Sequence, residues 1–316
     1  MKLIISNNSE LIKFLPMLDK SITFDRLKQD LRLATEEVIK LIGDDMYEYI
    51  EELYSADTKT ESDLHLIDVV AYPIAVDAYR NYVIQNDVAH TNEGRKARLN
   101  DYEKMPFEWM IDRDNKTSER KYYKALDRLI EYFDKHNPNN WKESDEYKKS
   151  FSVLFRTTEQ FNEYFTIESR YLLLKLVPGI KKCINEEIIP RIGQASWNEI
   201  DVKLKANNLV PDAYLFAKIK EACAYYALHW GMLRMSATLF PEGVLQNFIG
   251  DRITSQGKKV PENGEIGIIA KCFENDYKNV LLKIESHLSP VVNGTGTIDL
   301  DSLLDIDDDD KIVNLC

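Results

Sequence analysis

EEVIKLIG at Glu36–Gly43 and EEIIPRIG at Glu186–Gly193 lie 150 residues apart in this chain. Five of their eight positions are identical: Glu36/Glu186, Glu37/Glu187, Ile39/Ile189, Ile42/Ile192 and Gly43/Gly193. Val38/Ile188 is a β-branched swap, and the same offset pairs Leu27 with Val177, Ala34 with Ile184 and Ile50 with Ile200. Self-similarity at a long period marks a repeated structural unit.

Around the first copy, Leu27, Leu31, Ala34, Val38 and Leu41 recur at the spacing of one helix face. Gly43 is placed to end that helix in a left-handed conformation, and Asp44 to cap the short helix DDMYEYIEELY. A polar loop, SADTKTESD, precedes a long helix with Ile67, Ala71, Ile74, Ala78 and Val83 inward; Pro73 should bend it unless the helix begins nearby. An irregular polar connection is expected over about 87–118. Tyr122, Leu126, Leu129, Ile130 and Phe133 then stripe a last helix, and DKHNPNNWKESD breaks the pattern.

The second copy repeats the plan. Val177, Ile180, Ile184, Ile188 and Ile192 predict its first helix, with Pro178 tolerated in the first turn and Gly193 as the stop. Trp197 and Ile200 mark a short helix, and PDAYLFAKIKEACAYYALHWGMLRMSATLF a long one. GDRITSQGKKVPENGEIG reads as an insertion with hairpin-like turns, and Ile269, Phe273, Tyr277, Val280, Ile284 and Leu288 as the closing helix. The expected fold is therefore all-α: two tandem helical-bundle modules, each with an irregular arm or small hairpin insertion. The expected boundaries are a first module at 1–137, a linker at 138–158, a second module at 159–290 with its insertion at 250–267, and an acidic tail at 291–316.

Composition agrees with a helical, folded chain: 316 residues, 44% hydrophobic and 30% charged, with only 12 Gly and 10 Pro against 17 Tyr. The net charge of −12 divides unevenly, with −7 in residues 1–150, +1 in 151–298 and −6 in 299–316. That balance argues against tight nucleic-acid binding, which needs a basic footprint to neutralise phosphates. It suits a surface past which DNA must slide. Cys183, Cys223, Cys272 and Cys316 show no paired spacing and are expected as free thiols in a reducing cytosol. The apolar start LII is too short for a signal peptide, and no run reaches the roughly 20 residues of a membrane span.

The stretches LKQDLRLATEEVIKLIGDDMYEYIEEL, VVAYPIAVDAYRNYVIQNDV and RKYYKALDRLIEYFDKH resemble, in their order, the helical head–tail connector (adaptor) modules of tailed bacteriophages. Their Lys/Asn/Tyr-rich, Gly-poor composition and the duplication look like a ring protein of a crAss-like Bacteroides phage. The likeness covers residues 10–136 and, more loosely, 160–289; the insertion at 250–267 and the acidic tail depart from it. The resemblance implies a structural virion protein, made in the bacterial host cytoplasm and located at the head–tail connector. It also implies a homo-oligomeric ring, of twelve subunits, that docks below the portal protein. Such a ring meets neighbouring tail or ring proteins and extends the DNA channel without binding DNA specifically or touching a membrane.

No residue pattern in the sequence marks catalytic, cofactor-binding or metal-binding residues, and the chain is expected not to be an enzyme. His65, His90, His136 and His287 lie among polar residues; His229, in YYALHWGM, is expected as a core histidine with one hydrogen-bond partner. Glu36–Glu37 and Glu186–Glu187 suggest paired carboxylates, but adjacent helical residues diverge by about 100°, so a surface helix or inter-subunit salt bridges are the better reading. The glycines of GKKVPENGEIG and NGTGT lack the spacing of a phosphate loop. Tyr225, Tyr226, Trp230 and Trp109 are candidate interface anchors, although core packing explains them equally. The tail alternates Ile298, Leu300, Leu303, Leu304 and Ile306 with aspartates, as either a docking peptide or a solvating acidic segment. A calcium loop at Asp305–Asp310 lacks EF-hand spacing. A second reading of the whole chain is a helical protein-binding or regulatory module whose tail recognises a partner.

Overall fold

Helix α2 (Phe24–Ile42) buries Leu27, Leu31, Ala34, Val38 and Ile42 along one face, and its long polar face stays outside. Ile42, not Leu41, takes the last inward position; Leu41 is only partly buried. In this computed structural model the described residues are 2–19, 22–92, 94–97, 106–150, 154–167, 169–206, 210, 212–235, 237–240, 243–246 and 263–289. The fold is all-α, with two small two-stranded hairpins among the described residues. The chain divides into two compact units, the first mainly Met1–Lys175 and the second mainly from Leu176 onward.

In the first unit a short helix α1 (Asn8–Phe14), capped by the Asn7 side chain, precedes α2. Gly43 follows α2 at φ 88° and ψ 158°, and α3 (Asp44–Ser55) starts at the next residue. This is positive φ, as expected, but with an extended ψ instead of the left-handed helical one. Such a conformation is nearly confined to glycine. Gly43 itself is the N-cap; Asp44 makes no capping bond and lies in the first turn, where its charge faces the positive end of the helix dipole. Thr60 opens α4 (Glu61–Asn86) with a capping box to Asp63. The helix then runs unbroken through Pro73 and buries Leu66, Ile67, Val70, Ala71, Ile74, Ala75 and Ala78.

The connection expected as irregular over 87–118 contains a hairpin, and its last part, from Glu108, is helical. Strands β1 (Val88–Thr91) and β2 (Gly94–Ala97) pair antiparallel with Thr91 opposite Gly94, which holds φ 114° in the tight turn. Helix α5 (Glu108–His136) is the next described element and buries Tyr122, Leu126, Leu129, Ile130 and Phe133, the full expected stripe. It packs on α4, which also packs on α2.

The stretch 138–158, expected as a linker, is built into the first unit instead. Asn137, Asn139 and Asn140 take left-handed conformations, which asparagine tolerates, and fold Pro138–Glu143 into a tight turn. Trp141 is buried edge-on between Phe133 and Tyr147, the latter on α6 (Asp145–Ser150). Phe155 and Phe161, on α7 (Thr158–Asn162), pack edge to face with centroids 4.9 Å apart. Two buried ion pairs tie this segment back to α5. The Arg156 guanidinium, 5% exposed, donates twice to Asp134, once at 2.8 Å, while Trp141 Nε1 donates to the same carboxylate at 2.9 Å. Arg170 donates to Asp127 at 2.6 Å and to the Arg156 carbonyl at 2.9 Å. Residues up to Lys175 belong with the first compact unit.

The second unit follows the same order of elements. Helix α8 (Arg170–Cys183) passes through a π-helical turn, Ile184–Ile188, into α9 (Ile189–Ile192). Pro178 is therefore an interior residue, not a first-turn one. The wide π turn lies just before Pro190, whose missing N–H leaves one helical hydrogen bond unmade, as at Pro73 and Pro178. Gly193 (φ 83°, ψ 150°) then leads without a linker into α10 (Gln194–Lys205). Helix α11 (Ala213–Met232), capped by Asp212, ends earlier than expected, because Ala237–Phe240 forms β3 paired with β4 (Gly243–Gln246). Helix α12 (Asn263–Leu288) packs on α11. It buries Phe273, Tyr277, Val280 and Ile284, while Ile269 and Leu288 at its ends are exposed. Of the expected insertion, 263–267 open α12 and 250–262 lie outside the described residues, as does the tail 291–316.

Burial recurs between the two series at nearly constant separation. Leu66, Val70, Ile74, Ala75 and Ala78 on α4 match Leu215, Ile219, Cys223, Ala224 and Ala227 on α11, all buried, 149 residues on. Tyr122, Leu126, Leu129, Ile130 and Phe133 match Phe273, Tyr277, Val280, Leu281 and Ile284, 151 residues on. On the first helix the buried partners of Leu27, Leu31 and Ala34 are Leu176, Ile180 and Cys183, at 149, whereas Val38 and Ile42 match Ile188 and Ile192, at 150. The π turn lies between these two registers and accommodates the one extra residue. The pairing of Leu27 with Val177 expected from a uniform offset is thus one residue out.

Two stability outcomes follow. Gly193→Ala places a Cβ in open space, so its cost is backbone strain alone, roughly 1–3 kcal/mol in urea unfolding; an unchanged midpoint would contradict the corner's role. Asp134→Ala leaves Arg156 buried without its carboxylate and should lose roughly 3 kcal/mol, with Asp134→Asn losing less. Equal stability of Asp134→Ala and the parent would show that the clamp does not hold the segment.

Candidate functional site

His229 and its counterpart in the first unit each join two helices. His229 is half-buried on α11, and its Nδ1 proton donates to the Ala270 carbonyl of α12 at 2.8 Å. The equivalent position of the first unit, 149 residues earlier, is Arg80 on α4. Arg80 donates to buried Asp77 at 2.7 Å and lies over the Tyr122 ring of α5. Burial pushes the Asp77 carboxyl up, opposed by the adjacent Arg80 charge. Both residues thus fasten the long helix to the last helix of their unit.

His65 and His136 are exposed and lie against Tyr132, edge-on and stacked respectively. His287 is exposed and shares a 2.6 Å hydrogen bond with Asp212, which also caps α11. The side chain of His90 lies outside the described residues.

The paired glutamates do not converge. Glu37 pairs with Lys40 at 2.5 Å, Glu186 with Lys182 at 3.0 Å, and Glu187 with Arg191 at 2.9 Å; Arg191 also reaches Glu285. These described pairs each lie within one unit. Cys183 on α8 and Cys223 on α11 are both free and fully buried, which the sequence spacing gave no reason to place together. The neighbouring Cys223 thiol and burial push the Cys183 pKa up, so the thiol is a poor nucleophile. Among the described residues no group of three or more His, Cys, Asp or Glu is arranged to hold a metal ion. Nor, among them, is any helix long and apolar enough to cross a membrane.

Apolar side chains left in solvent are the more distinctive feature. Phe107, 68% exposed, Trp109 and Met110 are all exposed where α5 begins. Ile84, near the end of α4, is exposed at the same end of the α4–α5 pair. Its counterpart 149 residues on, Leu233 beside the second hairpin, is also exposed. Of the four aromatic residues considered as anchors, only Trp109 is exposed; Tyr226 is buried, and Tyr225 and Trp230 are half-buried between helices. Gly179 on α8 explains the last case, since its missing side chain lets Trp230 and the Ala227 backbone approach within about 3.1 Å of where a Cβ would stand.

Two shallow grooves complete the surface. One, of 380 Å³, lies at the Gly43 corner between Asp44, Asp45, Glu143, Asp145 and Glu146. The other, of 470 Å³, lies in the second unit between the start of α11 and the end of α12, lined by Tyr214, Leu282, Lys283, Ser286 and His287. Sequence periodicity did not single out either groove, because each is made by residues the helix stripes leave outside.

The profile of a family of unknown function (DUF6712) matches residues 38–151, from the end of α2 through α6, and so includes the first glycine corner, the first hairpin and the Trp141 turn. Neither the curated proteins nor the solved structures contain a match to the chain.

Proposed function

We propose that this chain is a structural virion protein of a tailed bacteriophage: two copies of one helical module that assemble as a ring-forming head–tail connector, or adaptor, docked below the portal. The observation that carries the reading is the pair of matched helix series, each with a glycine corner, a hairpin after its long helix and an aliphatic side chain exposed beside it. A monomer gains nothing from holding Phe107, Trp109, Met110 and Ile84 in water at one end of a helix pair. A neighbouring subunit that covers them would gain the hydrophobic free energy of their burial, roughly 1.5–3 kcal/mol for each side chain fully enclosed. Aromatic residues and Met are the side chains enriched at such interfaces.

The acidic balance fits the same reading. With a net charge of −12, a channel formed by copies of this chain repels the DNA backbone and lets it pass without specific binding. The reading assigns the chain no reaction, cofactor or metal. Its partners are copies of itself, in a ring of twelve by the likeness described above, with the portal protein above and a tail or further ring protein below. Its place is the virion, after synthesis in the host cytoplasm.

The test is assembly on the portal. Purified chain mixed with portal protein from the same genome should add a symmetric ring to the portal in negative-stain images. The double variant Phe107→Ser, Trp109→Ser should keep its helical circular dichroism and bind portal or itself at least about tenfold more weakly, as the loss of two exposed anchors predicts. A chain that stays monomeric and ignores portal at every concentration contradicts the proposal.

A further inference from the structure

Helices α8 and α11 meet antiparallel at small residues, and the crossing brings two thiols together. Leu176 packs against Gly231, and the place where a Gly179 Cβ would stand is about 3.1 Å from the Ala227 backbone. One turn farther, Cys183 and Cys223 are within hydrogen-bonding reach of each other. These contacts step along α8 through 176, 179 and 183 and back along α11 through 231, 227 and 223, so the two thiols face each other in register. Gly179 sets the approach, because a side chain there would press on the Ala227 backbone and the Trp230 ring and push the helices apart. Both cysteines are free, both are 0% exposed, and both belong to the second unit.

The first unit meets the same packing need differently. The counterparts of Cys183 and Cys223, 149 residues earlier, are Ala34 and Ile74, both buried. Two apolar side chains therefore serve one unit where two thiols serve the other, and thiols in contact can do what Ala and Ile cannot: form a covalent bond. A disulfide needs Cα atoms roughly 4.4–6.8 Å apart, a separation that helices packed through glycine permit.

We propose that Cys183 and Cys223 form a staple that closes on oxidation: a dithiol that hydrogen peroxide converts to a disulfide joining the first helix of the second unit to its long helix. One thiol sulfur attacks a peroxide oxygen; the O–O bond breaks and a water leaves, giving a sulfenic acid. The second thiol sulfur attacks the first; the S–O bond breaks, the S–S bond forms, and the remaining thiol proton departs in a second water. Two thiols and one peroxide thus yield one disulfide and two waters. The neighbouring thiol and burial push the Cys183 pKa up, so thiolate is scarce and closure answers sustained oxidation, not a brief exposure. The bond closes the loop 184–222, which holds the π turn, the Gly193 corner and α10, and so restrains the unfolded chain. This inference does not depend on the connector reading and can fail or hold separately from it.

Peptide mapping of the oxidised full chain tests it. The folded protein is held in hydrogen peroxide, then unfolded, alkylated with iodoacetamide, digested and read by mass spectrometry. The expected product is one pair of peptides joined through Cys183 and Cys223, two hydrogens lighter than the separate peptides and split by dithiothreitol. The Cys272→Ser, Cys316→Ser variant should give the same pair, and Cys183→Ser should abolish it. The urea unfolding midpoint should shift upward on oxidation and return with dithiothreitol. Recovery of both cysteines as alkylated thiols, or as sulfinic acids without a link, overturns the proposal, because a thiol beside a sulfenic acid condenses with it. A link to Cys272 or Cys316, or between two copies of the chain, overturns it as well. A Cys183–Cys223 link that leaves the midpoint unmoved would show that the bond staples nothing, and it also contradicts the proposal.

Discussion

A helix that must stop and hand over to another within a single residue leaves the backbone few choices. At Gly43 and Gly193 the chain takes φ of 88° and 83° with an extended ψ, and the next helix begins immediately. In both corners the glycine N–H still closes the last turn, at 2.7 Å to Ile39 and 2.9 Å to Ile189. Its carbonyl accepts the first bond of the following helix, from Tyr47 at 3.2 Å and Trp197 at 3.1 Å. Any Cβ-bearing residue meets steric strain there. The corner sets the direction of the short helix, and with it which faces remain for the long helix to cover. The π turn serves the same end: with it, Ile188 and Ile192 stay on the buried face and Gly193 arrives where the corner needs it.

Helix stripes were legible because burial along one face has a period that sequence displays directly. Tyr122 through Phe133 and Phe273 through Ile284 are buried as their spacing predicts. The segment after α5 was not legible. Its anchors, Trp141, Tyr147, Phe155 and Phe161, follow no helical period, and they are held by Arg156 and Asp134, 22 residues apart, among residues that look like a polar linker. The hairpins left a trace that helical periodicity obscures: TNEG at 91–94 and FPEG at 240–243 share Glu-Gly at a separation of 149. The π turn left none, since one extra residue within an apolar helix changes no composition and breaks no stripe by more than a single position.

Among the described residues, His229 and Arg80 fasten long helix to last helix, and Arg191 joins Glu187 to Glu285. What the sequence could not separate was which aromatic residues serve the core and which face outward. Trp230 and Trp109 are not told apart by composition, and only the close approach at Gly179 tells why one is half-buried between helices while the other is exposed at the start of α5. Exposed apolar groups at that end, together with an acidic chain, are what a self-assembling wall around DNA would need.

The central claim is that one helical unit occurs twice, with the same glycine corner and the same hairpin position. An experimental structure of the full chain, by crystallography or by cryo-EM of an assembly, tests it through superposition of α2–α5 on α8–α12. The account predicts that Gly43 overlies Gly193 at positive φ, that α4 overlies α11 in the 149-residue register, and that both hairpins leave at the same point. A second unit whose helices pair in a different order, or in which Ile184–Ile188 forms an ordinary α-helix with no extra residue accommodated, would contradict it.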